Sequence, residues 1–314
     1  MAFQYLNKRK GMNIFSFTAE FDSEASCRNH FKEERDKIGV ICKRCLYKEH
    51  FWIKSQWSYE CKQCSSRTSL RSGTIMQSSN LSFLIWYKTM FLLTATKQGF
   101  STKEIQRQLG LKRYEPVWAM VQKLRNAMGK IEDKYTLEGM IELDKDYFTI
   151  KASEQAYRTQ KAGRGIKTKS NVMVMAESII LEAPDTEKVV KQCRYFKAKV
   201  VEDHQAYATD VTIENAIDTE QAIVSSDKST SYISIADYVE IHMSEKSSET
   251  TTKETLECVH IEISNAKRNF VGNYHKIKKK YLQSYLNEFV YKLNCKYFEE
   301  RIFERLVIAS ITGL

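Results

Sequence analysis

The sequence predicts a chain of several domains in mixed α/β (α+β) structure, with a small metal-stabilised ribbon and a helical module ahead of a larger mixed-sheet domain. Three observations carry this. Two Cys-x2-Cys pairs lie within 23 residues of one another, between Cys42 and Cys64. Residues 82–130 have helical periodicity throughout. From about Met140 the pattern changes to short alternating stretches, followed by helix. The boundaries drawn are an N-terminal helical segment over 1–40, a zinc ribbon and connector over 41–80, a helix-turn-helix module over 81–135 and a mixed-sheet domain over 136–314.

The chain has 314 residues, 42% of them hydrophobic, enough for a sizeable core. With 2 prolines and 11 glycines it is neither low-complexity nor rich in linkers. Lys and Arg total 49 against 39 acids, a formal charge of +10. That excess favours a polyanionic partner, either nucleic acid or an acidic membrane surface. No apolar run is long enough to span a bilayer; the closest, Phe83 to Ala95, is interrupted by Lys88. The basic segment Met1 to Gly11 lacks the apolar centre of a signal peptide. The chain is therefore read as cytosolic, with no membrane partner.

In the first segment a helix is predicted from about Ser23 to Lys37, with Asp22 as N-cap. The spacing of the next is Cys42-x2-Cys45, fifteen residues, Cys61-x2-Cys64. In a reducing compartment such paired thiols indicate metal rather than disulfide. Each pair places two thiolates on one side of a tetrahedral zinc ion, and a closed four-sulfur site is structural, not catalytic. Phe51, Trp52, Trp57 and Tyr59, between the pairs, suit two short strands.

The helical module begins with a helix over Phe83 to Lys97. A second starts after Ser101, read as the cap of a capping box with Glu104, and stops at Gly110. A third covers about Glu115 to Met128. Short helix, glycine turn, longer helix is the outline of a helix-turn-helix. Residues 101–130 carry seven Lys or Arg against Glu104 and Glu115. Lys103, Arg107, Lys112 and Arg113 are the candidate phosphate contacts. The same charges would equally suit the solvated face of a plain helical hairpin.

In the last domain, strands are predicted at Met140–Asp144, Val172–Ala176, Tyr195–Val201 and Gln221–Ser226, with helix from about Ser264 to Ile311. Phosphoryl transfer on DNA needs divalent ions held by hard ligands, usually carboxylates. In a ribonuclease-H-like arrangement one Asp lies on the first strand, a second ends a later strand and a third ligand comes from a helix. Asp144 and Asp227 fit the first two places, with Asp146 and Asp237 as competing acids. For the third, His260 lies seven residues before Lys267, on one face if the stretch is helical; Glu257 and Glu262 are alternatives. Lys267 and Arg268 open a basic run through Lys276, Lys278, Lys279 and Lys280. Lys151 to Ser170 is a second basic segment, read as a loop, in which Arg164 and Lys167 are candidate DNA contacts.

Several of these stretches resemble one family, the ISXO-like insertion-sequence transposases of bacteria, which carry an N-terminal zinc ribbon and a DDE-type catalytic domain. They are Thr68 to Met76, Ser101 to Gly110, Ile141-Glu142-Leu143-Asp144, Ser226-Asp227-Lys228, and Asn265 to Arg268 with Gly272 to His275. The resemblance implies Asp144 and Asp227 as metal-binding acids, His260 as the third ligand in place of Asn or Glu, and Lys267 as the family lysine. It also implies structural Zn²⁺, catalytic Mg²⁺ or Mn²⁺, double-stranded DNA (element ends and target) as partner, a homodimer or larger assembly on DNA, and a nucleoid-associated place in the bacterial cytoplasm. Lys145 stands where the family has an acid. The competing reading is a non-enzymatic DNA-binding protein descended from a transposase; a zinc-ribbon transcription factor leaves the C-terminal half unexplained.

Overall fold

The computed structural model describes residues 12–151, 169–182, 189–201, 206–228, 230–246, 248, 254–274, 277–297 and 301–313. Arg164 and Lys167, most of the basic loop around them, and His275 and Lys276 lie outside the described residues. The chain divides into two compact units, Met1–Ile131 with Cys295–Leu314, and Glu132–Asn294.

In the first unit, α1 (Ile14–Glu20) is capped by Asn13, whose side chain accepts from Phe15 N and Ser16 N. Helix α2 (Glu24–Ile38) is capped by Ser23, not by Asp22 as expected. Ser23 and Ser26 exchange side-chain and backbone hydrogen bonds in a reciprocal box, so the cap falls one residue after Asp22. Strands β1 (His50–Ile53), β2 (Ser58–Cys61) and β3 (Arg67–Ser69) form a three-stranded antiparallel sheet in that order. Arg35 of α2 is buried, and its guanidinium donates to the carbonyls of Ser69 at 3.1 Å and Ser72 at 2.6 Å, and to that of Leu70. A buried charge needs such partners, and here it fastens the helix to the segment after β3.

Three helices follow, α3 (Phe83–Ala95), α4 (Thr102–Gln108) and α5 (Tyr114–Glu132). Ser101 caps α4, accepting from Glu104 N at 3.2 Å. The expected capping box is half formed: the Glu104 carboxylate turns forward to Arg107 and Gln108 instead. Gly110, at φ +63°, takes the left-handed turn between α4 and α5 that a side chain disfavours. Val117, Met120, Val121 and Leu124 make the buried stripe of α5.

The second unit is built on five strands: β4 (Leu137–Thr149), β5 (Lys169–Glu182), β6 (Val189–Val201), β7 (Ile217–Asp227) and β8 (Ile241–Glu245). Their spatial order is β6-β5-β4-β7-β8. β5 is antiparallel to both neighbours, while β4–β7 and β7–β8 are parallel, so four strands share one direction. Helix α6 (Ala206–Glu214) precedes β7; α7 (Glu257–Asn273) and α8 (Leu282–Leu293) close the chain of this unit. The strands outrun the stretches predicted for them because β4, β5 and β6 pair along most of their length.

Side chains alternate across a strand. On β4 this puts Glu142, Asp144, Asp146, Phe148 and Ile150 on one face. Phe148 and Ile150 belong to a core with Val172, Val174, Phe196 and the α7 residues Cys258, Val259, Ile263, Ala266 and Phe270. That face of β4 therefore lies under α7. A disulfide that the sequence reading did not foresee joins Cys193 of β6 to Cys258 in the first turn of α7.

The sheet domain was drawn to residue 314, but the last helix, α9 (Ile302–Thr312), belongs to the first unit. Its buried residues Phe303, Leu306 and Val307 pack on α2 and α3, and the Phe303 ring lies against Phe17, Phe21 and Tyr87. An apolar helix face settles where the matching apolar surface is, regardless of chain position. No helix among the described residues is long and apolar enough to cross a membrane.

Candidate active site and cysteine cluster

Three acidic side chains in succession on one strand face are costly unless cations or N–H donors meet them. Helix α7 supplies these. The Glu142 carboxylate, almost fully buried, accepts from Val259 N at 3.1 Å, so it caps the helix from the strand below. Its other oxygen pairs with Lys191 Nζ at 2.5 Å. Lys191 also donates to the carbonyls of Glu254 and Thr255, just before the helix. Next along the strand, Asp144 Oδ2 lies 3.9 Å from His260 Nε2. At the far end, Asp146 Oδ2 lies 2.5 Å from Lys267 Nζ. The spacings agree: four strand residues from Glu142 to Asp146 cover roughly 13 Å, and eight helical residues from Val259 to Lys267 roughly 12 Å.

Asp227 enters from the neighbouring strand. β4 and β7 pair in parallel up to Leu143–Ser226, so Asp144 and Asp227 follow side by side on strands roughly 4.8 Å apart. Burial first, and then the charges of Asp227 and Asp146, push the Asp144 carboxyl up to about 7, against the pull of the Lys145 N–H at 2.7 Å. Burial also raises Asp227, opposed by the charge of Lys145. Burial lowers His260, which keeps its imidazole neutral and able to donate a lone pair. One Asp227 oxygen, Oδ1, is buried and has no hydrogen-bond partner among the described residues. Two half-buried carboxylates on adjacent strands, one with a buried oxygen that no proton donor reaches among the described residues, fit a hard divalent cation, and the imidazole adds a borderline nitrogen donor.

The structure thus sets Asp144 near His260 and Lys267 on Asp146, with Asp227 on the strand beside Asp144; the ligand atoms of Asp144, Asp227 and His260 do not all lie within 4.8 Å of one another. Of the competing acids, Asp146 stays on the same strand face beside Lys267, whereas the others have different settings. Asp237 and Glu257 are exposed. Glu262 is buried on the core side of α7, where burial alone raises its carboxyl well above the usual range and no charge of the site acts on it. Arg268 is exposed and donates to Asn265 Oδ1 at 2.7 Å. Lys145 packs over the Tyr232 ring with its ammonium 4.9 Å from the centroid, and burial lowers it to about 8.

In the first unit the four cysteines converge, their sulfurs all within 4.8 Å of one another. Cys42–Cys64, Cys45–Cys61 and Cys45–Cys64 are separated by 3.5, 3.5 and 3.4 Å. A tetrahedral zinc with bonds of about 2.3 Å sets its sulfurs roughly 3.8 Å apart, so the cluster has the size of a zinc site. Its two halves are built alike. Leu46 N donates to Cys42 O at 2.9 Å and Ser65 N to Cys61 O at 3.0 Å. Leu46 and Ser65, each four residues after the first Cys of its pair, are left-handed at φ 61° and 54°. The N–H groups of Cys45 and Arg44 draw the Cys42 thiol down to about 6, towards the thiolate that binds metal.

Lys103, Arg107, Lys112 and Arg113 are exposed on α4 and the turn before α5, with Arg107 paired to Glu104. Arg125, counted among the basic residues of this module, is fully buried.

Sequence reasoning missed Glu142, Lys191 and the Cys193–Cys258 bond, which together fix the start of α7. Only Glu142 left a signal: it shares the alternation of Asp144 and Asp146.

The class of this mixed-sheet domain follows from comparison with known families. Residues 136–294, half of the chain, match the ISXO2-like transposase domain. The protein belongs to that family, which implies a transposase role with DNA as partner. No curated protein matches the chain.

Proposed function

We propose that this protein is the transposase of an insertion sequence, binding the ends of its element and performing metal-dependent DNA cleavage and strand transfer. The observation that carries the reading is the placement of Asp144 and Asp227 on adjacent parallel strands, with His260 of α7 3.9 Å from Asp144. The strand order with a single antiparallel member supports the ribonuclease-H-like arrangement expected for such a site. The four cysteines would hold a structural zinc. The α4–turn–α5 segment, with exposed Lys103, Arg107, Lys112 and Arg113, supports a helix-turn-helix role on DNA. Arg268, and Arg164 and Lys167 of the basic loop, are proposed as further DNA contacts.

Mg²⁺ or Mn²⁺ bound by Asp144, Asp227 and His260 would supply Lewis-acid stabilisation of the attacking and leaving oxygens. The two carboxylates would hold that charge where the parallel pairing of β4 and β7 ends, beside the scissile phosphate. His260 offers a neutral nitrogen from the helix above. Lys267 places a positive charge where a phosphate oxygen gains negative charge. In the proposed reaction water attacks the phosphodiester at the element end and frees a 3′-hydroxyl. That hydroxyl then attacks a target phosphodiester in line, so one P–O bond forms as another breaks. Two ends must be brought together, so a homodimer or larger assembly on DNA is proposed.

The test is to incubate purified protein with pre-cut duplex ends from the DNA flanking its gene, a supercoiled target and Mg²⁺ or Mn²⁺. Joined product that disappears in EDTA supports the proposal. Specific end binding without joining in either metal would favour the non-enzymatic DNA-binding alternative.

A pH effect follows from the raised carboxyls. Without metal, Asp144 binds a proton in the fold up to about pH 7, whereas an unfolded Asp releases it near about 3.9. Between these values stability contributed by this group falls as pH rises. A divalent ion reverses that cost only where the carboxylate is ionised. The gain in melting temperature on adding Mn²⁺ should therefore be larger at pH 8 than at pH 5.5, as differential scanning fluorimetry would measure. An equal gain at both would place the binding elsewhere.

A further inference from the structure

We infer that Asp146 is a positioning residue for Lys267, and not a ligand of the catalytic ions; the inference rests on the transposase reading above. Sequence alone leaves Asp146 as a rival to Asp144, since both are acids on the same face of β4. The structure separates their roles by what occupies their oxygens. Asp146 Oδ1 accepts from Tyr147 N at 2.5 Å, which fixes the plane of the carboxylate. Oδ2 is taken by Lys267 Nζ at 2.5 Å. Both oxygens are thus engaged by protein donors, whereas Asp227 Oδ1 is buried with no donor.

Lys267 is half-exposed and long, and such a side chain has many rotamers to lose. Two contacts narrow the choice: the Asp146 carboxylate, and the ring of Phe148 two residues further along the same strand face, 5.8 Å from Nζ to centroid. An ammonium has three donors. One spent on Asp146 leaves two for a phosphate oxygen. Asp146 lies two residues from Asp144 on the same strand face, and Lys267 lies seven residues from His260 along α7, which places the ammonium at the edge of the proposed metal site. Asp146 would thus hold Lys267 ready beside the scissile phosphate before DNA arrives.

The experiment compares wild type, Asp146→Asn, Lys267→Ala and the double variant. Asparagine keeps the size and the acceptor for Tyr147 N but removes the charge that holds the ammonium. A readout independent of activity is the rate at which Lys267 is acetylated by a small reagent, followed by mass spectrometry. Several-fold faster labelling of Lys267 in Asp146→Asn, with other lysines unchanged, is expected. In strand transfer, Asp146→Asn should lower kcat about tenfold with KM for the cut end unchanged, the pattern of an interaction realised in the transition state. In the Lys267→Ala background the same change should cost less than about twofold, because the group it positions is gone. Unchanged labelling would overturn the inference. So would an equal loss in both backgrounds together with weakened Mn²⁺ binding, which would make Asp146 a metal ligand. Failure of the wild type to join DNA at all would instead overturn the transposase reading, while the labelling rates would still report on the pair.

Discussion

Asp144→Asn and Asp227→Asn proteins are expected to bind element ends as wild type does and to join them on the order of 10³-fold more slowly. Charge stabilisation by the bound ions contributes several kcal/mol to such a reaction, and each tenfold in rate corresponds to about 1.36 kcal/mol. Asparagine preserves shape but not the negative charge that retains the ions. Neither change should unfold the unit. Burial raises both carboxyls, and like charge adds to it at Asp144, so each ionised group is a strain on the metal-free fold. The variants should accordingly melt no lower than wild type without metal, and should lose the stabilisation by Mn²⁺. Joining assays and melting curves on the same preparations check both halves. A variant that joins at the wild-type rate would remove that residue from the site, and one that melts far lower would recast it as structural.

Loss of zinc should have the second largest effect, and on the other unit. Structural zinc contributes roughly 10–16 kcal/mol of apparent binding free energy in small ribbons. The three-stranded sheet has little to set against that loss. Its strands are three or four residues long, and Phe51 is exposed. Leu46 and Ser65 are held left-handed, a conformation that costs each roughly 1–2 kcal/mol and persists only while the surroundings enforce it. Cys42→Ser or Cys61→Ser should therefore abolish zinc retention, open the 42–69 region to proteolysis and weaken end binding at least tenfold. One equivalent of zinc by elemental analysis, falling to none in either variant, would agree. A wild-type protein purified without zinc and resistant to protease would not.

Some of this was legible in the chain and some was not, for identifiable reasons. The cysteine pairs could be read because a tetrahedral metal dictates local spacing. The strand positions of Asp144 and Asp227 could be read because each ends or interrupts an apolar stretch, a pattern of neighbouring residues. The place of α7 could not. It depends on Glu142 meeting Val259, on Lys191 meeting Glu142 and on Cys193 meeting Cys258, pairs separated by dozens of residues and unmarked by local pattern. The choice of His260 over Glu262 turned on rotation about the helix axis. Two residues apart, one faces the acids and the other the core. The last helix was assigned to the sheet domain by chain order, yet its apolar face fits α2 and α3. The cap of α2 was misjudged by one residue, because Ser23 and Ser26 bond each other's backbone.

The most direct measurement is the number and spacing of Mn²⁺ ions held by wild type on a bound cut end, read by electron paramagnetic resonance with Asp227→Ala alongside. Two ions close enough to couple their spins in wild type, and loss of that coupled signal in the variant, are expected of carboxylates that share a two-ion site. An isolated ion, or a coupled signal that survives removal of Asp227, would contradict the assignment of this site to DNA phosphoryl transfer.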